Sequence, residues 1–144
     1  MRIDGIWRIC DDGIVRPAIR AEVRTAAGAW ALIHFLVDTG ADRTVLSAGV
    51  LQALAIQSAP SDETLEGVGG RVASVVIATS IRMIRETGDP VLFTGQLAAF
   101  IDPTALDMSV LGRDLTNLFA VIVDRPQDTV CLLGQKHRFV IVAD

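Results

Sequence analysis

Apolar and polar positions along this chain alternate mostly with a period of two. From Ile14 to Arg24, Val15, Pro17, Ile19, Ala21 and Val23 interleave with Arg16, Arg20, Glu22 and Arg24, which predicts a strand with one apolar and one wet face. Ala18 departs from the alternation, and Pro17 suits an edge or a strand start. Thr25-Ala26-Ala27-Gly28 can turn the chain into a second strand, Trp30 to Val37, whose later residues read as buried on both faces. Ser47 is placed to cap a short helix with Val50, Leu51 and Leu54 at helical spacing. Pro60 to Glu63 reads as loop, and two strands flank the glycine cluster Gly67-Val68-Gly69-Gly70, a predicted hairpin tip.

Val72 to Ile84 is a long β-rich run that Thr87-Gly88-Asp89-Pro90 interrupts, and Val91 to Ile101 is a further strand closed by Asp102-Pro103. After Val110-Leu111-Gly112, residues Arg113 to Leu118 have the look of one or two helical turns. The tail predicts strands at Ala120 to Val123, Val130 to Leu133 and Phe139 to Val142, with a turn over Arg125-Pro126-Gln127-Asp128. Short, evenly spaced strands with one or two small helices predict a mostly β, closed, barrel-like domain. We expect a single domain over residues 1–144. Residues 1–13 would be an N-terminal extension (a strand, a tether or a processing region), and 124–144 would add extra strands.

Composition narrows the function. With 144 residues, 51% of them hydrophobic, the chain can bury a core without a staple. Thirteen basic against 17 acidic residues give a net charge of −4, with no basic stripe, which argues against a nucleic-acid partner. The two cysteines, Cys10 and Cys131, lack ligand-like spacing, and His34 and His137 stand alone, so we expect no metal and no organic cofactor. The apolar stretch from Ala26 to Val37 contains His34 and is too short to span a bilayer, so no membrane role is expected. Asp4 falls where a signal peptide needs its apolar core, and the expected location is cytoplasmic.

The sharpest chemical feature is Leu36-Val37-Asp38-Thr39-Gly40-Ala41-Asp42. An acid at the end of an apolar strand is costly to bury unless it is protonated or hydrogen-bonded. Gly40 lets the backbone approach that carboxylate, and Thr39 adds a hydroxyl that can fix the loop. By itself the triplet also reads as a polar turn after a strand. Downstream, Gly67-Val68-Gly69-Gly70 is no phosphate loop, because no Lys-Ser/Thr follows it. Leu111, Gly112 and Arg113 lie at the junction into the last helical turn. No nucleophile elbow is present, and tyrosine is absent.

Taken together and in this order, the three segments resemble the retropepsin-like aspartic proteases. That family shows an apolar pair followed by Asp-Thr/Ser-Gly-Ala, then a glycine-rich flap, then apolar-apolar-Gly-Arg entering a helix. The resemblance covers roughly residues 14 to 123, and Asp42 with Thr44-Val45-Leu46 extends it. It implies that Asp38 is the catalytic aspartate. The chain has a single Asp-Thr-Gly, so two copies must meet about a twofold axis to form a two-carboxylate site. The resemblance further implies that Thr39 bonds across that axis, that Gly40 offers its carbonyl to substrate, and that Ala41 must be small. Asp42 would hold the substrate main chain and pair with Arg113. Gly67, Val68, Gly69 and Gly70 would form a flap over an extended peptide, and Val45, Val68, Val110 and Leu111 would be pocket walls. The expected activity is aspartic endopeptidase, with the chain itself and an apolar-rich peptide or protein as partners. The alternative is a non-catalytic module of the same fold that dimerises or binds peptides.

Overall fold

A computed structural model describes residues 1–67 and 70–134 of the chain. Among the described residues, ten strands and two short helices follow one another. They are β1 (Arg2–Ile9), β2 (Val15–Arg24), β3 (Trp30–Val37), β4 (Val45–Leu46), α1 (Ala48–Leu54), β5 (Ala59–Gly67), β6 (Gly70–Ile84), β7 (Pro90–Phe100), β8 (Val110–Leu111), α2 (Arg113–Thr116), β9 (Phe119–Asp124) and β10 (Thr129–Gly134). The sheet order is β5-β6-β7-β4-β8-β3-β2-β1-β10-β9. A further pairing of β2 with β6, through Glu22↔Arg82 and Val23↔Ile81, closes the middle of this sheet into a ring. Closure removes free edges there and encloses the core.

β2 shows why alternation alone is a partial guide. Its residues from Ala18 onward pair with β3, while its other neighbour changes from β1 to β6 along its length. Pro17, which has no N–H to give, lies beyond the β3 ladder and opposite Trp7 of β1 alone. Ala18 is fully buried, as are Ile19 and Val23. At Gly5, β1 hands over from β10 to β2, and a Cβ there would lie 2.6 Å from the Ala18 carbonyl oxygen and 2.7 Å from Val130. Only glycine fits that crossing. The core between the sheet layers is built on Phe35, Ile19, Leu46, Ile77, Ile81, Met83, Leu111 and Leu132, all almost completely buried.

Some local expectations need correction. Pro60 to Glu63 is part of β5 rather than a loop; it escapes a sequence reading because the ladder with β6 shifts register between Pro60 and Thr64. Ser47 does occupy the N-cap of α1, but its side chain makes no capping bond, and its own N–H donates to Ser109 Oγ at 3.0 Å. The second helix stops at Thr116, short of Leu118. β4 and β8, two residues each, are too short to show any period. The strand expected at Phe139 to Val142 lies outside the described residues. No helix among the described residues is long and apolar enough to cross a membrane.

Candidate active site

Asp38 stands one residue beyond β3, where the sheet pairs β3 in parallel with β8 through Leu36↔Val110 and Val37↔Leu111. Leu36 N–H donates to the Ser109 carbonyl at 2.8 Å, and Asp38 N–H to the Leu111 carbonyl at 3.2 Å. The ladder therefore carries the chain up to the acid and stops. The Asp38 side chain then finds a local partner: Gly40 N–H donates to its Oδ1 at 2.9 Å. Ala41 N–H returns to the Asp38 carbonyl at 3.3 Å. Asp38 is half-buried, whereas Thr39 and Gly40 are exposed. A carboxylate that accepts a backbone N–H while keeping one side open suits exchange of protons with a bound molecule.

The loop that follows is fastened from beneath by Gly112 and Arg113 together with two residues to which sequence reasoning gave no role, Thr44 and Asp114. Thr44 is fully buried; its Oγ1 donates to Asp114 Oδ1 at 2.6 Å and accepts from Gly112 N–H at 3.1 Å. Thr44 N–H is 2.9 Å from both oxygens of Asp114. Arg113 N–H donates to the Ala41 carbonyl at 2.8 Å and Asp114 N–H to the Asp42 carbonyl at 3.2 Å. A Cβ on Gly112 would sit 2.3 Å from the backbone carbon and oxygen of Arg43, so the two segments can approach this closely only with glycine. The signals available in the sequence were a hydroxyl just before the apolar pair Val45-Leu46 at Thr44 and an acid in the first turn of α2 at Asp114.

Arg113 Nη2 does pair with Asp42 Oδ1, as expected. Both side chains are well exposed, so this ion pair orients the Asp42 carboxylate more than it stabilises the fold. Above the Asp38 loop lies a cleft of about 1170 Å³. Its floor is formed by Asp38, Gly40, Ala41 and Asp42. The hairpin β5–β6 contributes Thr64, Leu65, Glu66, Gly70, Arg71 and Val72. Val45 and Val110 line it as anticipated, whereas Leu111 is fully buried in the core, because neighbouring strand residues point to opposite faces. A further wall, from Phe100 to Leu106, went unforeseen. It is held by Asp102, whose Oδ1 accepts from both the N–H (2.8 Å) and the hydroxyl (2.7 Å) of Thr104, bonds that lower the Asp102 pKa. Gly67 and Gly70 face each other as the last pair of the hairpin, while Val68 and Gly69 lie outside the described residues.

Away from the cleft, His34 Nδ1 accepts from Arg8 Nη1 at 3.2 Å, and burial together with Arg8 and Arg20 lowers the His34 pKa. Among the described residues no three potential metal-ligating side chains come together.

A family model described as retroviral aspartyl protease matches residues 14–122, from the start of β2 into β9. The chain belongs to that family. Membership of the retroviral aspartyl protease family places it among the aspartic proteases. Among solved structures, a retropepsin-like aspartic protease from Rickettsia conorii is similar with a TM-score of 0.55 and 21% identity, over 92% of this chain and 97% of that one. EIAV protease, complexed with the inhibitor HBY-793, is similar with a TM-score of 0.52 and 22% identity, over 71% of this chain and 86% of that one. At these identities the likeness is one of fold. No curated protein sequence matches the chain.

Proposed function

We propose that this protein is an aspartic endopeptidase that works as a homodimer, with Asp38 from each of two copies forming one water-activating pair. The observation that carries the reading is the position of a single half-open Asp38 on the floor of the cleft, braced by Gly40 N–H and roofed by a hairpin. One carboxylate cannot both accept and donate in the same step. Two brought into contact share one proton, since like charges so close do not both ionise.

The ionised member takes a proton from water as the water oxygen attacks the scissile carbonyl carbon. The protonated member gives its proton to the carbonyl oxygen, producing a neutral tetrahedral diol. Collapse then breaks the C–N bond. The amine nitrogen takes a proton from the pair, and a diol hydroxyl returns one, so the shared proton is regenerated. Thr39, exposed beside Asp38, would bond to its twin across the axis, and Asp42 would hold substrate main chain. The β5–β6 hairpin would act as the flap, adding backbone hydrogen bonds to an extended peptide. Leu65, Val72, Val45, Val110 and Leu106 give the cleft apolar walls, which favours apolar side chains in the substrate.

A diverse peptide library incubated with the full chain and read by mass spectrometry tests the reading. Cleavage should be greatest at mildly acidic pH, rise per chain with protein concentration, and fall on the order of 10³-fold or more in Asp38→Asn. Full activity in a strictly monomeric preparation, or cleavage that survives Asp38→Asn, would overturn it. A stable dimer that cleaves nothing in the library would favour a peptide-binding module instead.

A further inference from the structure

The outer face of the ring carries charge of the opposite sign to the chain's net −4. Alternation along β2 sends Ile19, Ala21 and Val23 inward and Arg20, Glu22 and Arg24 outward. On β3 the same rule sends Leu32 and His34 outward, against inward Ile33 and Phe35. The ladders then fix the neighbours. Leu32 lies opposite Glu22, Glu22 opposite Arg82 of β6, and Arg82 opposite Leu92 of β7. Arg20 lies opposite His34. From β1, Arg8 reaches across β2 to bring Nη1 within 3.2 Å of His34 Nδ1.

Two properties set this face apart. Its cations are in excess. Arg82 is paired with Glu22, and Arg16 holds Asp12 through bonds of 2.8 and 2.6 Å. Arg8, Arg20 and Arg24, by contrast, have no carboxylate partner among the described residues. Burial, and then Arg8 and Arg20, lowers the His34 pKa, which is the response of an imidazole in a positive field. The face also shows aliphatic surface: Leu32 is 51% exposed, Leu92 58% and Ile84 46%. The two leucines end one row of the sheet, about 14 Å apart across three strand spacings. None of these side chains lines the cleft above Asp38.

We propose that this face is a docking surface for an acidic polypeptide segment that bears aliphatic side chains. Carboxylates of the segment meet Arg8, Arg20 and Arg24, and its aliphatic groups cover Leu32 and Leu92. Charge complementarity selects this occupant. A guanidinium takes a carboxylate in a bidentate pair, and each such pair neutralises an arginine that has no acid of its own. A purely charged partner would leave the leucines in water, so aliphatic groups belong in the segment. The chain's own residues 135–144 include Lys136 and Arg138 and are the wrong sign for this surface. The proposal is independent of the Asp38 reading and holds for a peptidase or a binding module alike.

The test is fluorescence anisotropy of the full chain with a labelled peptide of repeated Glu-Leu-Glu-Glu, at low and high salt. It is repeated in Asp38→Asn, so that cleavage does not interfere. Binding should be equal in both proteins, weaken with added salt, and fall about 10-fold or more in Arg20→Glu. Leu92→Ser should cost about 5-fold, since it removes apolar contact and leaves every charge in place. If Arg20→Glu does not fold by circular dichroism, Arg20→Gln combined with Arg8→Gln removes the charge without reversing it and decides. Equal binding of a repeated Lys-Leu-Lys-Lys peptide would overturn the proposal. So would a loss in the cleft-roof variant Arg71→Glu as large as that in Arg20→Glu, which would put the peptide in the cleft. Association with phosphatidylserine vesicles but not with the acidic peptide would assign the face to a lipid surface and overturn it too. No binding of the acidic peptide at low salt would have the same consequence.

Discussion

The loop that carries Asp38 and the hairpin that overhangs it belong to one sheet but are held in contrasting ways. The floor is tied at several points: Asp38 N–H to Leu111, Gly112 N–H to Thr44 Oγ1, Thr44 to Asp114, and Arg113 N–H to Ala41. These bonds join segments about seventy positions apart and leave Thr44 with no exposed surface. The hairpin is tied mainly to itself. β6 pairs with β7 only from Ser74 onward, so residues 64–67 and 70–73 project as a two-stranded arm. At its end Glu66 and Arg71 form an exposed ion pair. Far from this arm, near the other end of β6, Arg82 bonds Glu22 across the β2–β6 closure and stacks 4.4 Å from the Trp30 ring centre. A two-stranded ribbon with few buried apolar contacts sits at the low end of local stability, whereas a floor whose polar groups are paired in a buried setting sits near the top. On the function proposed above, preorganised chemistry below and a yielding cover above would divide the labour of peptide capture.

Breaking the floor should have the largest effect. Gly112→Ala forces a methyl carbon to within 2.3 Å of the Arg43 backbone, so the β8–α2 junction must part from the loop. We expect a loss of about 3 kcal/mol or more, read by urea unfolding, and no activity in whatever folded fraction remains. A midpoint within error of the unaltered chain would mean that the floor is not close-packed there.

Thr44→Val keeps the shape and removes the hydroxyl that serves Asp114 and Gly112 at once. Leaving a buried N–H and a carboxylate oxygen short of partners should cost about 2–4 kcal/mol. Thr44→Ser should recover most of this, because it restores the donor and acceptor. Equal losses in both variants would argue that packing of the methyl, not hydrogen bonding, fastens the loop.

At the β2–β6 closure the Arg82 guanidinium holds Glu22 below its ordinary value of 4.5. A carboxylate whose pKa is lowered on folding stabilises the fold above its unfolded value, and that contribution fades as pH falls through the lower folded value. Glu22→Gln should therefore lower the thermal midpoint slightly at pH 7, and the gap between the two proteins should shrink below about pH 4. A gap that widened in acid would have the wrong sign for this linkage.

Changes at the tip should be the mildest for stability. Glu66→Ala and Arg71→Ala each remove half of an exposed pair, worth about 0–1 kcal/mol. If the arm closes on substrate, their effect appears in KM for a cleaved peptide and leaves the unfolding midpoint nearly unchanged. A large loss of stability would show that the arm is as firmly built as the floor.

Much of the fold was legible in the sequence because strands bury one face or two, and alternation records which. The turns at Thr25 to Gly28 and at Thr87 to Pro90, the hairpin pair Gly67 and Gly70, and the long strands β2, β3, β6 and β7 all follow from local rules. The Asp38 motif is local too, and its order relative to the glycines and to Gly112-Arg113 was enough to point to the family. The irregular start of β5 hid Pro60 to Glu63, since a bulge disturbs the very alternation that would reveal a strand.

What the chain alone determined was thus each short-range preference: where it extends, where it bends, and where an acid ends an apolar run. Tertiary structure decided the rest. It selected Val110 and not Leu111 for the cleft wall, built strands of two residues at β4 and β8, closed the ring through β2 and β6, and set Thr44 against Asp114. Those outcomes depend on pairings between residues distant in sequence. No periodicity over a few positions can encode such pairings, because the partner that satisfies each buried group arrives only when the sheet closes.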